Sequence, residues 1–385
     1  MNNDLNSLGI YCHVPFCVKK CDYCDFPSFG NPDDSAVKRY FKALQEEIKV
    51  FSKNNSGKAI PVADTIYFGG GTPSAVNPEY IRQTLELLRK VFSVSAAVEQ
   101  TIEINPGTLT LEKAKRYRDM GFNRVSLGLQ AWQDVLLKSL GRIHRQQDFI
   151  DSMGYLKAAG FKNISVDVMY GLPGQRVEDV IETLAALMEF SPTHLSCYSL
   201  ILEEGTPMTR REAQGEITLP SEDEERLMHW AVDGYLKTQG YEHYEISSYA
   251  RPGYESRHNL KYWEMVPYLG FGLGAHGFFN GTRYGNTPDL NEYCSVIERK
   301  QNPGVYEPAL TEDQIMSDWM LLGLRKLGGI DDQVFQKRFG KSFIKVYAKT
   351  IDGLINEGLL VREGSILRLT DHGQNFGNQV FMAFL

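Results

Sequence analysis

GIYCHVPFCVKKCDYCDF, residues 9–26, reads as a strand that runs straight into a cysteine-bearing loop. Gly9–His13 has the apolar, β-prone character of a first strand. Cys17, Cys21 and Cys24 follow it in CxxxCxxC spacing. Working outward, short apolar runs alternate with amphipathic stretches through the first two-thirds of the chain. Ser35–Phe51 is helical, with Phe41, Leu44 and Ile48 on one face. Further strands are expected at Asp64–Phe68, Val98–Ile104, Asn123–Leu129, Ile164–Met169 and His194–Leu200. Helices are expected between them at Pro78–Phe92, Thr110–Met120, Arg145–Ala159 and Val177–Phe190. Gly121 and Gly160 follow two of those helices, where a glycine ends the turn before the next strand begins.

This rhythm predicts an α/β fold, a partial (β/α)6 TIM-like barrel over residues 1–210, with a doubly wound sheet as the alternative. Past residue 210 the pattern changes. Ser221–Thr238 is a helix opened by the acidic run Glu222–Glu225 at its positive end. Tyr241–Ser248 is expected as a strand beside the sixth. Residues 250–290 are rich in Gly, Tyr and His and read as a loop-heavy pocket wall, so residues 211–305 are taken as a barrel extension that forms a pocket. From Thr311 the chain predicts helices near 311–325, 331–339 and 342–356. A hairpin follows, Leu359–Arg362 and Ile366–Leu369 around EGS. Residues 306–385 are thus expected to form a small winged-helix-like α+β domain.

Composition narrows the function classes. The chain has 385 residues, 42% apolar and 23% charged, which is ordinary for a globular protein with a substantial core. Its 41 basic and 48 acidic side chains give a net charge of −7 without long basic runs, so no phosphate-neutralising stripe for nucleic acid is present. The polar start, Met1 to Gly9, lacks the basic and apolar regions of a signal peptide. No segment reaches the ~18 apolar residues of a spanning helix. A cytoplasmic protein is expected, with peripheral membrane contact left open. Four of the six cysteines fall between positions 12 and 24, and in a reducing compartment such crowding points to metal rather than disulfides.

Three thiolates can hold three corners of an iron–sulfur cubane, whereas ordinary electron-transfer clusters use four. A fourth iron without a protein ligand implies that something else binds there. Zinc, with His13 as fourth ligand, is the competing reading of the spacing. Cys12 points away from the set along its strand. Downstream, Gly69–Pro73 (GGGTP) follows the second strand, where consecutive glycines admit a ligand to the backbone and their amides can hold a carboxylate. Glu103, Gln130 and Asp167 stand at strand ends and Arg142 in a loop. A carboxylate suits a ribose diol; an arginine suits a carboxylate through a bidentate pair.

YCHVPFCVKKCDYCDF at 11–26 resembles the radical S-adenosylmethionine (SAM) signature of the oxygen-independent coproporphyrinogen III oxidase family. GGGTP at 69–73, IEINPG around Glu103, SLGLQ at 126–130, LGRIH at 140–144 and DVMYGLPGQ at 167–175 match in order. The resemblance implies a [4Fe–4S] cluster on Cys17, Cys21 and Cys24, and one or two SAM molecules near Tyr11, Tyr23, Gly70, Gly71, Thr72, Glu103, Gln130, Arg142 and Asp167. Phe26 stands where the oxidases usually carry another cysteine, and only ten residues precede Tyr11. Both features are similar to the HemW-type heme chaperone branch, as is HNLKYW at 258–263. That branch implies a protein that binds heme, with His258 as axial ligand and Tyr262 and Trp263 as cover. It would transfer heme to recipient hemoproteins, respiratory ones among them, with an electron donor for the cluster, as a monomer or a dimer. The alternative activity is radical SAM oxidative decarboxylation of coproporphyrinogen III to protoporphyrinogen IX.

Overall fold

Alternation of residue type along each strand decides which side of the sheet is which. In the computed structural model, which describes residues 7–385, strand β1 (Ser7–Val14) sends Leu8, Ile10, Cys12 and Val14 fully into the outer core. Tyr11 and His13 project to the opposite side. The same division holds for β2 (Val62–Gly70), β3 (Val94–Ile104), β4 (Arg124–Gln130), β5 (Asn163–Tyr170) and β6 (His194–Ser199). Ile66, Phe68, Ile102, Val125, Leu127, Val166 and Leu195 join the outer core. Thr65, Tyr67, Glu99, Glu103, Arg124, Ser126, Ser165, Asp167, His194 and Ser196 form a polar inner lining. Strands apolar on one face only are the period-two pattern the sequence displays.

These six strands pair in parallel and in chain order, from β1↔β2 to β5↔β6. Helices α1 (Asp34–Asn54), α2 (Pro78–Val91), α3 (Leu111–Asp119), α4 (Gln146–Ala158) and α5 (Val177–Phe190) connect them. Asp33 caps α1 by accepting from the Ala36 amide, and Asn77 with Pro78 starts α2, so these boundaries follow from local chemistry. The arrangement is a partial barrel. The polar start at residues 1–6 lies outside the described residues.

The barrel is open between β1 and β6. Helix α6 (Glu222–Thr238) leads to β7 (Glu242–Glu245) and β8 (Ser248–Ala250), and β8 pairs antiparallel with β6. The single strand expected over Tyr241–Ser248 is therefore a hairpin. Its turn is fixed from outside, where the Ile246 amide donates to the Arg325 carbonyl at 3.1 Å.

Residues 250–290 also depart from expectation. They form helix α7 (Arg257–Trp263) and strands β9 (Tyr268–Phe271), β10 (His276–Phe279) and β11 (Thr282–Asn286), with β12 (Gly304–Tyr306) further on. β9 lies parallel beside β1, and β10 to β12 continue antiparallel. The full sheet runs β12-β11-β10-β9-β1-β2-β3-β4-β5-β6-β8-β7. Strands of three to five residues carry too little periodicity to be read from sequence.

The C-terminal region has its own core around Trp319, Phe335, Phe343, Leu367 and Phe381, into which Met265 and Phe278 of the sheet extension also pack. Helices at Glu312–Gly323, Asp332–Phe339 and Ala348–Asn356 precede the hairpin Leu360–Glu363 and Ile366–Leu369, and Ile330–Asp331 adds a third strand. Among the described residues no helix is long and apolar enough to cross a membrane.

Candidate functional site

The C-terminal ends of the six parallel strands open into a cavity of about 450 Å³. In α/β barrels this is the end where loops carry chemistry. The cysteine loop forms one wall. Phe16–Cys17 and Phe29–Gly30 pair as two short parallel strands, and the Asn31 amide donates to the Cys17 carbonyl at 3.0 Å, closing the loop at its base. Asp22 pins its middle: its amide donates to Leu140 O (3.0 Å) and its carbonyl accepts from the Met208 amide (2.9 Å). Arg211 reaches its carboxylate at 3.4 Å. The loops after β4 and β6 thus hold Cys21 and Cys24 in place.

Cys17, Cys21 and Cys24 all face this cavity, whereas Cys12, Cys197 and Cys294 are buried elsewhere. The Thr72 hydroxyl donates to Cys17 Sγ at 3.4 Å, and Arg142 Nη1 to Cys21 Sγ at 3.6 Å. Burial pushes the Cys17 thiol upward and the Cys24 thiol to about 11, so a bound metal must supply the charge that makes them thiolates. His13 is not available as a zinc ligand. Its Nδ1 pairs with Tyr11 Oη at 3.0 Å and its Nε2 with the Pro27 carbonyl at 2.9 Å. Among the described residues no group of His, Cys, Asp and Glu gathers closely enough for a single ion. Three free thiols facing one cavity, with no histidine along its wall, are the donor set that suits an iron–sulfur cluster rather than a zinc ion.

The glycine run has a different task from the one its sequence suggests. The Gly70 amide donates to Glu103 Oε2 (3.0 Å), the Gly71 amide to Val14 O (2.9 Å) and the Thr72 amide to Phe16 O (2.8 Å). Those N–H groups are therefore consumed within the protein and do not serve as a ligand cradle. Glycine is required by close packing instead. A Cβ on Gly70, at φ +110°, would lie 2.3 Å from His13 Cε1, and one on Gly71 would lie 2.9 Å from Phe16 N. The run locks the end of β2 against the cysteine loop.

Glu103 lies on the cavity floor, where Tyr67 Oη donates to its Oε1 at 2.8 Å. Asp167 beside it accepts from Ser126 Oγ at 3.1 Å. Burial pushes Glu103 up to about 7 and Asp167 up to about 6, with the donors partly opposing that shift. Arg142 Nη2 donates to Gly128 O (2.7 Å) and Asn105 Oδ1 (3.0 Å), and Nε lies 3.3 Å from His144 Nδ1. Gln130 sits at a bulge at the end of β4 with φ +73°, and it lines the cavity.

The structure thus brings Tyr23, Gly70, Gly71, Thr72, Glu103, Gln130, Arg142 and Asp167 around one space with the three cysteines. It does not bring Tyr11 there. That ring lies within the barrel, stacked 6.0 Å from Tyr67 and 6.5 Å from His258. Sequence reasoning missed Tyr67, Asn105 and His144. Alternation along β2 was the available signal for Tyr67, since Ile66 and Phe68 claim the outer face.

His258 is at the other end of the barrel. It opens α7, which plugs the N-terminal ends of the strands. Its Nδ1 pairs with Thr65 Oγ1 at 2.8 Å, its Nε2 with Tyr262 Oη at 2.9 Å, and its amide donates to Glu99 Oε1 at 3.2 Å. The residue is 1% exposed, and burial lowers the imidazole to about 3. Both ring nitrogens are occupied and no face is open, so the expected axial heme ligand is here a structural pin of the barrel floor. The segment expected to wall the pocket likewise contributes nothing to the cysteine cavity, whose lining comes from residues 17 to 203.

Comparison with known proteins bears directly on this geometry. Residues 11–187 match the Radical SAM superfamily and residues 310–376 the HemN C-terminal domain. Heme chaperone HemW of Lactococcus lactis is 37% identical over 97% of this chain and 96% of its own length. The chain belongs to the HemW family. Heme chaperone HemW of Bacillus subtilis is 35% identical, covering 97% of this chain and 98% of that protein. In Haemophilus influenzae the corresponding values are 32%, 99% and 98%. Among solved structures, the radical SAM enzyme coproporphyrinogen III oxidase (HemN) of Escherichia coli superposes with a TM-score of 0.85 at 24% identity, over 98% of this chain and 89% of that one. At that identity the likeness establishes the fold: a radical SAM partial barrel with a HemN-type C-terminal domain.

Proposed function

We propose that this chain is a heme chaperone that binds heme and transfers it to recipient hemoproteins, with a [4Fe–4S] cluster and SAM at the cysteine cavity. The observation that carries the reading is end-to-end likeness to heme chaperones of several bacteria. Cys17, Cys21 and Cys24 would hold the cluster, and SAM would bind beside it in the same cavity. When bound, the pair supplies one-electron cleavage of the sulfonium C–S bond.

The chain's own residues position and exclude. Arg142, fixed by Gly128 O and Asn105 and directed at Cys21, places a positive charge beside the cysteine loop, which favours an anionic group on that side of the cavity. Each oxygen of Glu103 already accepts one hydrogen bond and keeps capacity for another, which suits two vicinal hydroxyls. Tyr23 and Leu200 restrict water at the cavity walls. Cytoplasmic residence, transient membrane contact with respiratory recipients and a separate electron donor complete the proposal.

Coproporphyrinogen III oxidation is the second reading, favoured by the shared fold with HemN. One anaerobic preparation separates the two. After cluster reconstitution, SAM should perturb the EPR signal of the reduced cluster and heme should bind stoichiometrically. Incubation with dithionite, SAM and coproporphyrinogen III should then yield no protoporphyrinogen IX. Product formation selects the oxidase; failure to bind heme removes the chaperone.

A further inference from the structure

Helix α1 and the sheet extension enclose a second cavity, of about 250 Å³, that shares no lining residue with the cysteine cavity. A carboxylate stands at its buried end. Glu47, on the inward face of α1, is 8% exposed and lines the space. Three neutral donors hold it: the Gly272 amide and Tyr293 Oη reach Oε2 at 2.8 and 2.6 Å, and Asn286 Nδ2 reaches Oε1 at 2.7 Å. Burial pushes the group up to about 7, and no lysine, arginine or histidine acts on it or lines the cavity. Buried Asp318, by contrast, meets Arg283. Buried carboxylates are usually paired; this one borders a cavity instead. The walls are aromatic. Phe51 packs edge-on to Phe271 and Phe279, with ring centroids 5.6 and 6.0 Å away, and Tyr284 of β11 stacks on Tyr306 of β12 at 5.1 Å. Exposed Asn54, Asn280 and Asn302 form the rim.

We propose that this cavity binds a small organic ammonium ion, its charged nitrogen at Glu47 Oε1 and its aryl or alkyl body against Phe51, Phe279 and Tyr306. Oε2 already accepts two hydrogen bonds and Oε1 only one, so Oε1 keeps capacity for a further donor. Aromatic walls attract a desolvated cation and cover an apolar body. An anion would meet Glu47 with no basic side chain to offset it. A divalent metal needs several oxygen ligands, and the cavity offers one carboxylate. A neutral ligand would leave the buried charge uncompensated. The volume falls below the roughly 300–1,000 Å³ of sites for drug-sized molecules, which limits the ligand to a one-ring amine or a short alkylamine. The site goes beyond the chaperone reading and does not depend on it.

The test is calorimetric titration of the reconstituted full-length protein with 2-phenylethylamine, a cation at neutral pH, and with 2-phenylethanol, its neutral counterpart. The amine should bind saturably, and the alcohol about tenfold more weakly or worse. Glu47→Gln keeps an oxygen for Gly272 and Tyr293 but removes the charge, so it should weaken amine binding by about tenfold and erase the preference over the alcohol. Tyr306 is 51% exposed, so Tyr306→Ala should weaken amine binding several-fold while the thermal midpoint of the free protein stays in place. That variant decides the matter should Glu47→Gln fail to fold. Saturating SAM should leave the amine affinity unaltered, since the two cavities share no lining residue. Absence of saturable amine binding, equal affinity for amine and alcohol, unaltered affinity in Glu47→Gln or Tyr306→Ala, or displacement of the amine by SAM would each overturn the site and leave the chaperone reading intact.

Discussion

At His258 the imidazole joins two buried hydroxyls, Thr65 Oγ1 and Tyr262 Oη, while Glu99 holds the backbone amide of the same residue. Removing the ring leaves both hydroxyls without that partner and opens a cavity in the barrel floor. His258→Ala should therefore cost about 2–4 kcal/mol of folding stability, read as a lower urea midpoint. His258→Gln, which keeps a donor and an acceptor, should cost less. The folded fraction of His258→Ala should bind heme with unchanged affinity; loss of binding from protein of intact stability would restore the axial-ligand reading. The residues that were legible in sequence share one property: their chemistry is fixed by spacing along the chain. Cys17, Cys21 and Cys24 lie on one loop, so CxxxCxxC already brings them together. HNLKYW has equally distinctive spacing, but no local signal tells which end of the barrel α7 will plug. That is settled by Arg257 and Lys261 reaching Asp64 near the start of β2.

Between elements, the GGGTP run shows how a motif can be close in position and wrong in mechanism. Sequence placed it after a strand ending at Phe68, whereas the strand takes in Gly69 and Gly70 and the turn begins at Gly71. The reason for glycine was hidden, because it depends on His13 and Phe16, more than fifty residues earlier, and on Glu103. Gly70→Ala must accommodate both a positive φ and a Cβ at 2.3 Å from the His13 ring, which is itself held by Tyr11 and Pro27. Gly174 also has positive φ, +72°, but nothing lies within 4 Å of its added Cβ. Gly174→Ala should thus cost only about 1 kcal/mol, from backbone strain alone. Gly70→Ala should cost several times more and lower the iron bound per chain, because the cysteine loop must shift. Equal midpoints for the two variants in chemical denaturation would refute the packing account. The same logic explains why the βα units were readable while β9 to β12 were not: long amphipathic helices announce the former, and only register with β1 organises the latter.

Across the whole molecule, two sets of buried groups pull stability in opposite directions with pH. Burial pushes Glu47 and Glu103 up to about 7 and Asp167 to about 6. The folded chain keeps these protons where the unfolded chain, with carboxylates near 4, has released them, so the stability they contribute is lost as pH rises through that window. His13, His144 and His258 act in reverse. Burial lowers them to about 4, 3 and 3 from an ordinary value of 6.5, so the folded chain leaves them neutral while unfolded imidazoles take up protons. Stability from this set is lost as pH falls below about 6.5. Between roughly 4.5 and 6.5 the sets oppose each other; above that only the carboxylates still titrate. Completing their ionisation costs about 1–2 kcal/mol, at about 1.4 kcal/mol per unit. The thermal midpoint of the cofactor-free chain should accordingly decline between about pH 6.5 and 8. Glu103 and Asp167 line the cavity and Glu47 does not, so a sulfonium cation in the cavity should favour the ionised form of the first two alone. SAM should make the decline shallower without abolishing it, because the Glu47 contribution is out of its reach. A midpoint that stays level or climbs over this interval in the cofactor-free protein would show that these carboxylates are already ionised in the fold, and that the barrel floor is better solvated than its burial implies.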